Sequence, residues 1–271
     1  MLFCVCHFRN SPEVTAFARH VLSLADSNRI TICDNSGGLE LALPPDRVLV
    51  SNPGKNLGYL NGSAHARRAW TAARGEPSDL TVVCNTDITL SASAVNEEPR
   101  ILALSGVAGI APDVRLVATG RPQNPHLRHR PATRRIRFLR AMHGMPPLGV
   151  LYMLASLLRA RQRPSSTPQP PGAPPQNVYA PHGAIMVFHP DFFQKGGRLE
   201  YGGFLHDEEL HVAEQSRRLG LAWRYWPAFA VQHLHHASLG SVSLWRQSRW
   251  HRQSLNWIWI QYFTASTPTR P

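Results

Sequence analysis

The chain of 271 residues holds only four cysteines, Cys4, Cys6, Cys33 and Cys84. None forms a Cys-x-x-Cys pair, so neither a zinc ribbon nor a dithiol redox motif is encoded. All four sit in apolar, strand-like runs, where a reduced thiol serves as a small core side chain. No signal peptide is visible: Met1 runs directly into Leu-Phe-Cys-Val-Cys without a basic lead or a small-residue cleavage site. No apolar run reaches the roughly 18 residues that a bilayer-spanning helix needs. Reduced thiols and no export signal together predict a cytoplasmic protein. Acid is missing too, but locally: no Asp or Glu occurs between Asp113 and Asp191. A Walker A phosphate loop and a clean Gly-x-Gly-x-x-Gly are also absent.

What the chain has is apolar mass and positive charge. Hydrophobic residues make up 43%, which is enough for one large domain or a domain and a half and excludes a disordered chain. The net charge of +12 favours anionic partners such as nucleic acid, an anionic membrane or phosphorylated substrates. Arginine is frequent between Arg115 and Arg163, the stretch where acid is missing.

The first part of the chain alternates short apolar runs with helical patterns. Leu2–Phe8, Arg29–Cys33, Arg47–Val50 and Leu80–Cys84 read as strands. Ser11-Pro12-Glu13 reads as a helix start with Ser as the cap, and a second helix runs from Asn61 through Trp70. This rhythm predicts an α/β fold with a mainly parallel sheet covered on both faces. Ligands of such sheets bind beyond the carboxyl ends of the strands. The middle breaks the rhythm: an Arg- and His-rich stretch, an apolar run over Leu148–Leu158, then a Pro-, Ser- and Gln-rich segment over Arg163–Gln176, read as a mobile loop. Order returns with a strand at Gly183–Phe188, a helix at Glu208–Leu219 stopped by Gly220, a strand at Trp223–His233 and a Trp-rich helix at Ser241–Phe263.

Two acidic turns fall at predicted strand ends. Asp87 in Asn85-Thr86-Asp87 is placed to hold a divalent cation bridging two phosphates, although Asn and Asp are also ordinary turn formers. Asp34, in Cys-Asp-Asn-Ser-Gly-Gly, is placed to accept from a pyrimidine N–H or a ribose hydroxyl, or simply to form the turn. Between them, the stretch from Asn52 to Gly62, with Asn56 and Gly58, is a glycine-rich loop entering a helix, a setting that lets backbone approach phosphate. Asp207, Glu208 and Glu209 gather at a helix start, where acids suit the dipole and a carboxylate can also act as general base. His233, His235 and His236 follow; a neutral imidazole there could join Asp87 on a metal.

The order of these segments resembles the family 2, mostly inverting, glycosyltransferases, near the rhamnosyltransferase-like members of polysaccharide clusters. The resemblance rests on Asp34–Gly37, on Asn52–Gly62, on Asn85-Thr86-Asp87, and above all on Tyr179–Ala184 through Phe204-Leu205, Glu208-Glu209, Pro227–His233 and Ser238. It spans about 1–112 and 178–262. It implies a GT-A-type, Rossmann-like sheet and a divalent cation, Mg²⁺ or Mn²⁺. It also implies donor contacts at Asp34, Asn56, Gly58 and Asn85, metal ligation at Asp87 and His233, and Glu209 as base. Glu208 is the base's neighbour, and a shifted alignment would give Asp207 that role. The sequence departs from the family pattern in beginning the metal motif with Asn85, in using Glu for the base, and in placing His211 where Asp is common.

The division that follows is a nucleotide-sugar-binding half at 1–112, a basic, Pro-rich insertion or mobile segment at 113–177, and an acceptor-side half at 178–271. The implied partners are a nucleotide-diphosphate sugar donor and a glycan or lipid-linked acceptor in cell-surface polysaccharide synthesis. The basic middle adds an anionic membrane surface, with the protein on its inner face. Two alternatives stand beside this reading. A nucleotidyltransferase would want a basic glycine-rich loop near the N-terminus, where His7–Ser11 offers only Arg9. A nucleic-acid-binding protein would interleave aromatics with its arginines, and between Arg115 and Arg140 only Phe138 is aromatic, so nucleic acid is not the expected partner.

Overall fold

The computed structural model describes residues 1–77, 79–162, 174–234 and 242–264, with side chains left out at 160–162. In chain order the strands are β1 (Leu2–His7), β2 (Arg29–Asp34), β3 (Val48–Ser51), β4 (Thr81–Cys84), β5 (Ile88–Leu90), β6 (Val107–Leu116), β7 (Gln176–Val178), β8 (Ile185–Phe188) and β9 (Ala222–His233). The helices are α1 (Ser11–Leu24), α2 (Tyr59–Arg74), α3 (Ala92–Val95), α4 (Glu98–Leu102), α5 (Thr133–Gly144), α6 (Pro146–Gln162), α7 (Pro190–Gln194), α8 (Glu208–Arg218) and α9 (Leu244–Ile258), the last running into a π-turn at Trp259–Phe263.

The strands form one mixed sheet in the order β3-β2-β1-β4-β8-β6-β9-β5, with β7 also on β9. The first four are mutually parallel, as are β6 and β9; β8, β5 and β7 run antiparallel to their neighbours. The α/β architecture with a mostly parallel central sheet and helices on both faces is thus the observed fold. Alternation along the strands separates two cores. Phe3, Val5, Ile30 and Ile32 pack with Val14, Phe17 and Val21 of α1, while Leu2 and Cys4 pack with Leu60, Ala64 and Trp70 of α2 and with α8 and α9. Each fully buried Val, Leu, Ile or Phe among them contributes about 1.5–3 kcal/mol of transfer free energy. All four cysteines are free thiols.

One sequence expectation changes, one strand was not foreseen, and one expected boundary falls within a strand. Asn10, not Ser11, flanks α1 at its start and makes no side-chain cap; Ser11 is the first helical residue, and its hydroxyl faces His7 Nε2 at 3.0 Å. β6 was not legible as a strand because Gly109 and Pro112 interrupt it. Both have structural reasons. A Cβ on Gly109 would lie 2.0 Å from the Val187 carbonyl oxygen, and Pro112 sits at a register shift against β9. Finally, the boundary expected at residue 112 falls inside β6, so the stretch from 113 onward begins as part of the sheet. Most of the Pro-rich segment, 163–173, lies outside the described residues.

Candidate functional site

Asp87 lies just past β4, at the carboxyl ends of the parallel strands. Antiparallel pairing of β5 with β9 sets Ile88 opposite His233, and the Leu234 N–H donates to the Asp87 carbonyl at 2.9 Å. That register brings His233 Nε2 to 3.3 Å from Asp87 Oδ1. The contact is close, yet it is not aligned as a hydrogen bond: Oδ1 is buried and has none. A buried carboxylate oxygen left in this state costs free energy unless something else meets it. His233 is oriented from behind, with Nδ1 2.6 Å from Gln123 Oε1. An amide oxygen only accepts, so Nδ1 carries a proton, and Nε2 is the ring atom that faces Asp87.

A second carboxylate reaches the same place from α8. Glu209 Oε1 accepts from the Gly183 N–H at 3.0 Å. The Tyr59 hydroxyl, in the first turn of α2, donates to the Gly183 carbonyl at 2.7 Å. The Asn85 N–H donates to the Ala184 carbonyl at 2.9 Å, and the His182 ring stands edge-on to His233 at 6.3 Å. His182, Gly183 and Ala184 therefore form the seam between the Asp87–His233 pair and Glu209. Asn124 ties this seam to the segment before α5, accepting from the N–H groups of His126 and His182.

Glu208 differs sharply from its neighbour. It is 6% exposed, and burial, followed by the charge of Glu209, holds its carboxyl well above the usual carboxylate range. Burial thus favours the protonated form of Glu208. Asp207 is taken up elsewhere: its Oδ2 lies 2.9 Å from His251 Nδ1. Asp207 and His206 both have left-handed backbone, at φ 63° and 71°, an uncommon conformation for side-chain-bearing residues and one that turns the chain sharply into α8. Behind them His206 stacks on His251 at 4.1 Å and His251 on His143 at 4.8 Å. His211 is a core residue, its Nδ1 2.7 Å from the Tyr262 hydroxyl.

The residues expected to contact the donor have jobs inside the protein. Asp34 is 2% exposed; Oδ1 accepts from the N–H groups of Ser36 and Gly37 and lies 2.7 Å from His7 Nδ1, while Oδ2 accepts from the Leu39 N–H. Burial pushes its pKa up, but the bonds from His7, Leu39, Gly37 and Ser36 outweigh this, and the carboxyl sits below its ordinary value. Asp34 thus builds the turn. Asn56 Oδ1 accepts from the Gly58 N–H at 2.9 Å. Gly58 is buried at φ 81°, where a Cβ would lie 2.0 Å from the Phe204 carbonyl oxygen. Its glycine answers a packing need. Of Asn85, the backbone bond to Ala184 is the contact that serves the site.

Sequence reading missed Tyr59, Gln123, Asn124 and His7, none of which lies in a motif of its own. His235, His236 and Ser238 lie outside the described residues. Among the described residues no group of three or more His, Cys, Asp or Glu is arranged to hold a metal ion. The two-ligand pair Asp87–His233 still fits a divalent cation in one respect. It sets a buried carboxylate oxygen without a hydrogen bond beside an imidazole nitrogen, a donor set that leaves the remaining positions to substrate oxygens and water.

No family model matches the chain, and no curated protein matches it in sequence. Among solved structures, the mannosyltransferase PcManGT from Pyrobaculum calidifontis in complex with GDP-Man and Mn2+ is similar with a TM-score of 0.49 and 13% identity, over 96% of this chain and 63% of that one. GalNAc-T7 with UDP, GalNAc and Mn2+ is similar with a TM-score of 0.47 and 12% identity, over 86% of this chain and 43% of that one. The chain thus spans less than two thirds of the length of either. Neither likeness assigns a donor, an acceptor or a residue role to this chain.

Proposed function

We propose that the protein is an inverting glycosyltransferase that moves a sugar from a nucleoside-diphosphate sugar to an acceptor hydroxyl. The observation that carries this reading is the seam at His182–Ala184, which holds a metal-competent pair, Asp87 and His233, on one side and the carboxylate of Glu209 on the other. Asp87 Oδ1 and His233 Nε2 are the atoms that would hold Mg²⁺ or Mn²⁺. Such a cation supplies charge neutralisation on the departing nucleoside diphosphate.

The chain's own residues supply the rest. Glu209 is fixed through Oε1 by Gly183, which leaves Oε2 to take the proton of the acceptor hydroxyl. The acceptor oxygen then forms its bond to the anomeric carbon as the bond from that carbon to the diphosphate oxygen breaks on the opposite face, inverting the centre. Gln123 holds the His233 ring through Nδ1, so that Nε2 faces Asp87. Asp34, Asn56 and Gly58 shape the donor side through the turns they close. The resemblance described above favours a glycan or lipid-linked acceptor in polysaccharide synthesis, a rhamnosyl-type donor and a place in family 2.

The test is a donor panel: purified protein, Mn²⁺ and UDP-, dTDP- and GDP-sugars, with release of the nucleoside diphosphate as readout. Turnover of one donor, lost in Asp87→Ala, is the expected result. No release from any donor, with pyrophosphate formed instead from a nucleoside triphosphate and a sugar phosphate, would replace this reading by nucleotidyl transfer.

A further inference from the structure

Among the described residues, nothing packs on the outer face of α6 over Leu151–Leu158. Gly149 of α6 closes on α9, where a Cβ would lie 2.0 Å from Ser248 Oγ, so that side of the helix is spoken for. The opposite side carries Leu151, Leu154 and Leu158 at helical spacing, 61%, 42% and 58% exposed, with Leu157 beside them. α5 meets α6 at a bend of 118°. There Phe138 is half exposed and stands edge-on to Tyr152 of α6 at 6.0 Å. No single helix among the described residues is long and apolar enough to cross a membrane.

Cations frame this apolar row. Arg134 lies one turn before Phe138 on α5, Arg135 follows it, and Arg159 stands at the far end of α6; all three are exposed. Among the described residues none of the three is in an ion pair. Other arginines of the stretch are engaged: Arg130 pairs with the buried Glu214, and Arg140 bonds Asn256 and lies over the Trp259 ring. No acid occurs on either helix or anywhere between Asp113 and Asp191.

We propose that the outer face of α5 and α6 seats the protein on an anionic lipid surface, with the leucine row in the acyl boundary and Arg134, Arg135 and Arg159 at the headgroups. An exposed apolar row this long is the mark of a binding face. Its cationic frame selects the occupant. A second copy of the chain would bring like charges together around the leucines, whereas an anionic bilayer supplies apolar depth and diffuse negative charge at once. The inference stands independently of the proposed transfer reaction, since its readout is binding alone.

Co-sedimentation with vesicles tests it, using phosphatidylcholine alone and phosphatidylcholine mixed with phosphatidylserine, at low and high salt. The full chain is expected to bind the mixed vesicles at low salt and to be released at high salt. Arg134→Gln with Arg135→Gln should weaken that binding by about 25-fold, taking roughly fivefold for each basic residue near the surface. Leu151→Glu with Leu154→Glu should weaken it by at least about tenfold. Because all four positions are exposed, both variants should keep the parent's melting curve. Equal binding to neutral and anionic vesicles, or none to either at low salt, overturns the proposal. So does analytical ultracentrifugation that finds a dimer dissolved by the leucine substitutions.

Discussion

His233 Nε2 lies 3.3 Å from Asp87 Oδ1, two atoms brought together by the antiparallel pairing of β5 and β9 and by nothing local in the sequence. The oxygen is buried without a hydrogen bond. A carboxylate oxygen buried without a hydrogen bond carries a desolvation cost, which a cation meeting both atoms would offset. Asp87→Ala should therefore lower transfer by roughly 10²–10³-fold, the scale of several kcal/mol of lost charge stabilisation. The same variant should leave the melting temperature level or raise it, because an unbonded buried carboxylate is gone. Mn²⁺ should raise the melting temperature of the parent protein and not of the variant. A variant that melts well below its parent in the absence of metal would mean that Asp87 is structural.

Gln123 acts on the same pair from behind. Gln123→Leu removes the acceptor that holds the proton on His233 Nδ1. Loss of an outer partner of this type typically costs about 10–100-fold in metal affinity. The expected signature is a higher Mn²⁺ concentration for half-maximal rate, with the rate at saturating Mn²⁺ largely retained. An unchanged Mn²⁺ requirement rules the positioning role out.

Glu209 and Asp207 are separated by a pair of isosteric substitutions. Glu209→Gln keeps an oxygen for the Gly183 N–H but cannot accept a proton, so turnover should fall about 10²–10⁴-fold with donor binding retained. Asp207→Asn should cost much less, because that side chain is engaged by His251. If the two results come out reversed, Asp207 and not Glu209 is the base.

Gly58→Ala probes the contact between the two halves of the sheet. The substitution forces an L side chain to φ 81° and drives a methyl into the Phe204 carbonyl. A loss of at least about 2 kcal/mol is expected from the backbone conformation and the clash together, read by urea denaturation. Gly54→Ala is the control: it has a similar φ of 73° but open space around it, and should cost distinctly less.

Buried histidines set the response to acid. Burial lowers His143 and His211 to about 4, with the His251 charge adding to the effect at His143. In the unfolded chain each would titrate near 6.5, so between about pH 4 and 6.5 the unfolded state binds more protons and stability rises with pH. Acidification through this window should destabilise the protein by up to about 1.4 kcal/mol per pH unit for each group. Urea midpoints across the window check this. His211→Gln should flatten the slope, and an unaltered slope would show that His211 is protonated without penalty in the folded protein.

The amino-acid sequence by itself determined the parallel half of the sheet. Short apolar runs with helices between them can bury both faces only as parallel strands, and turn residues then fall at their ends, which is why Asp34 and Asp87 were legible as positions. The start of α8 at Glu208 and its stop at Gly220 were legible for the same local reasons. Tertiary structure alone decided what those residues do. Asp34 spends both oxygens within its own turn and Gly58 makes room for Phe204, while Asp87 keeps an oxygen unbonded, and no local pattern distinguishes these cases. β6 was hidden because the Gly and Pro that interrupt its pattern are there to meet Val187 and β9, neighbours far away in the chain. Gln123 carries no motif and Tyr59 is an unmarked position within Asn52–Gly62; both gain their roles when strand register and helix packing set one behind His233 and the other on Gly183. Propensity and hydrophobic period act over a few residues, whereas the contacts that define this site are fixed by pairings between distant segments that form only in the folded chain.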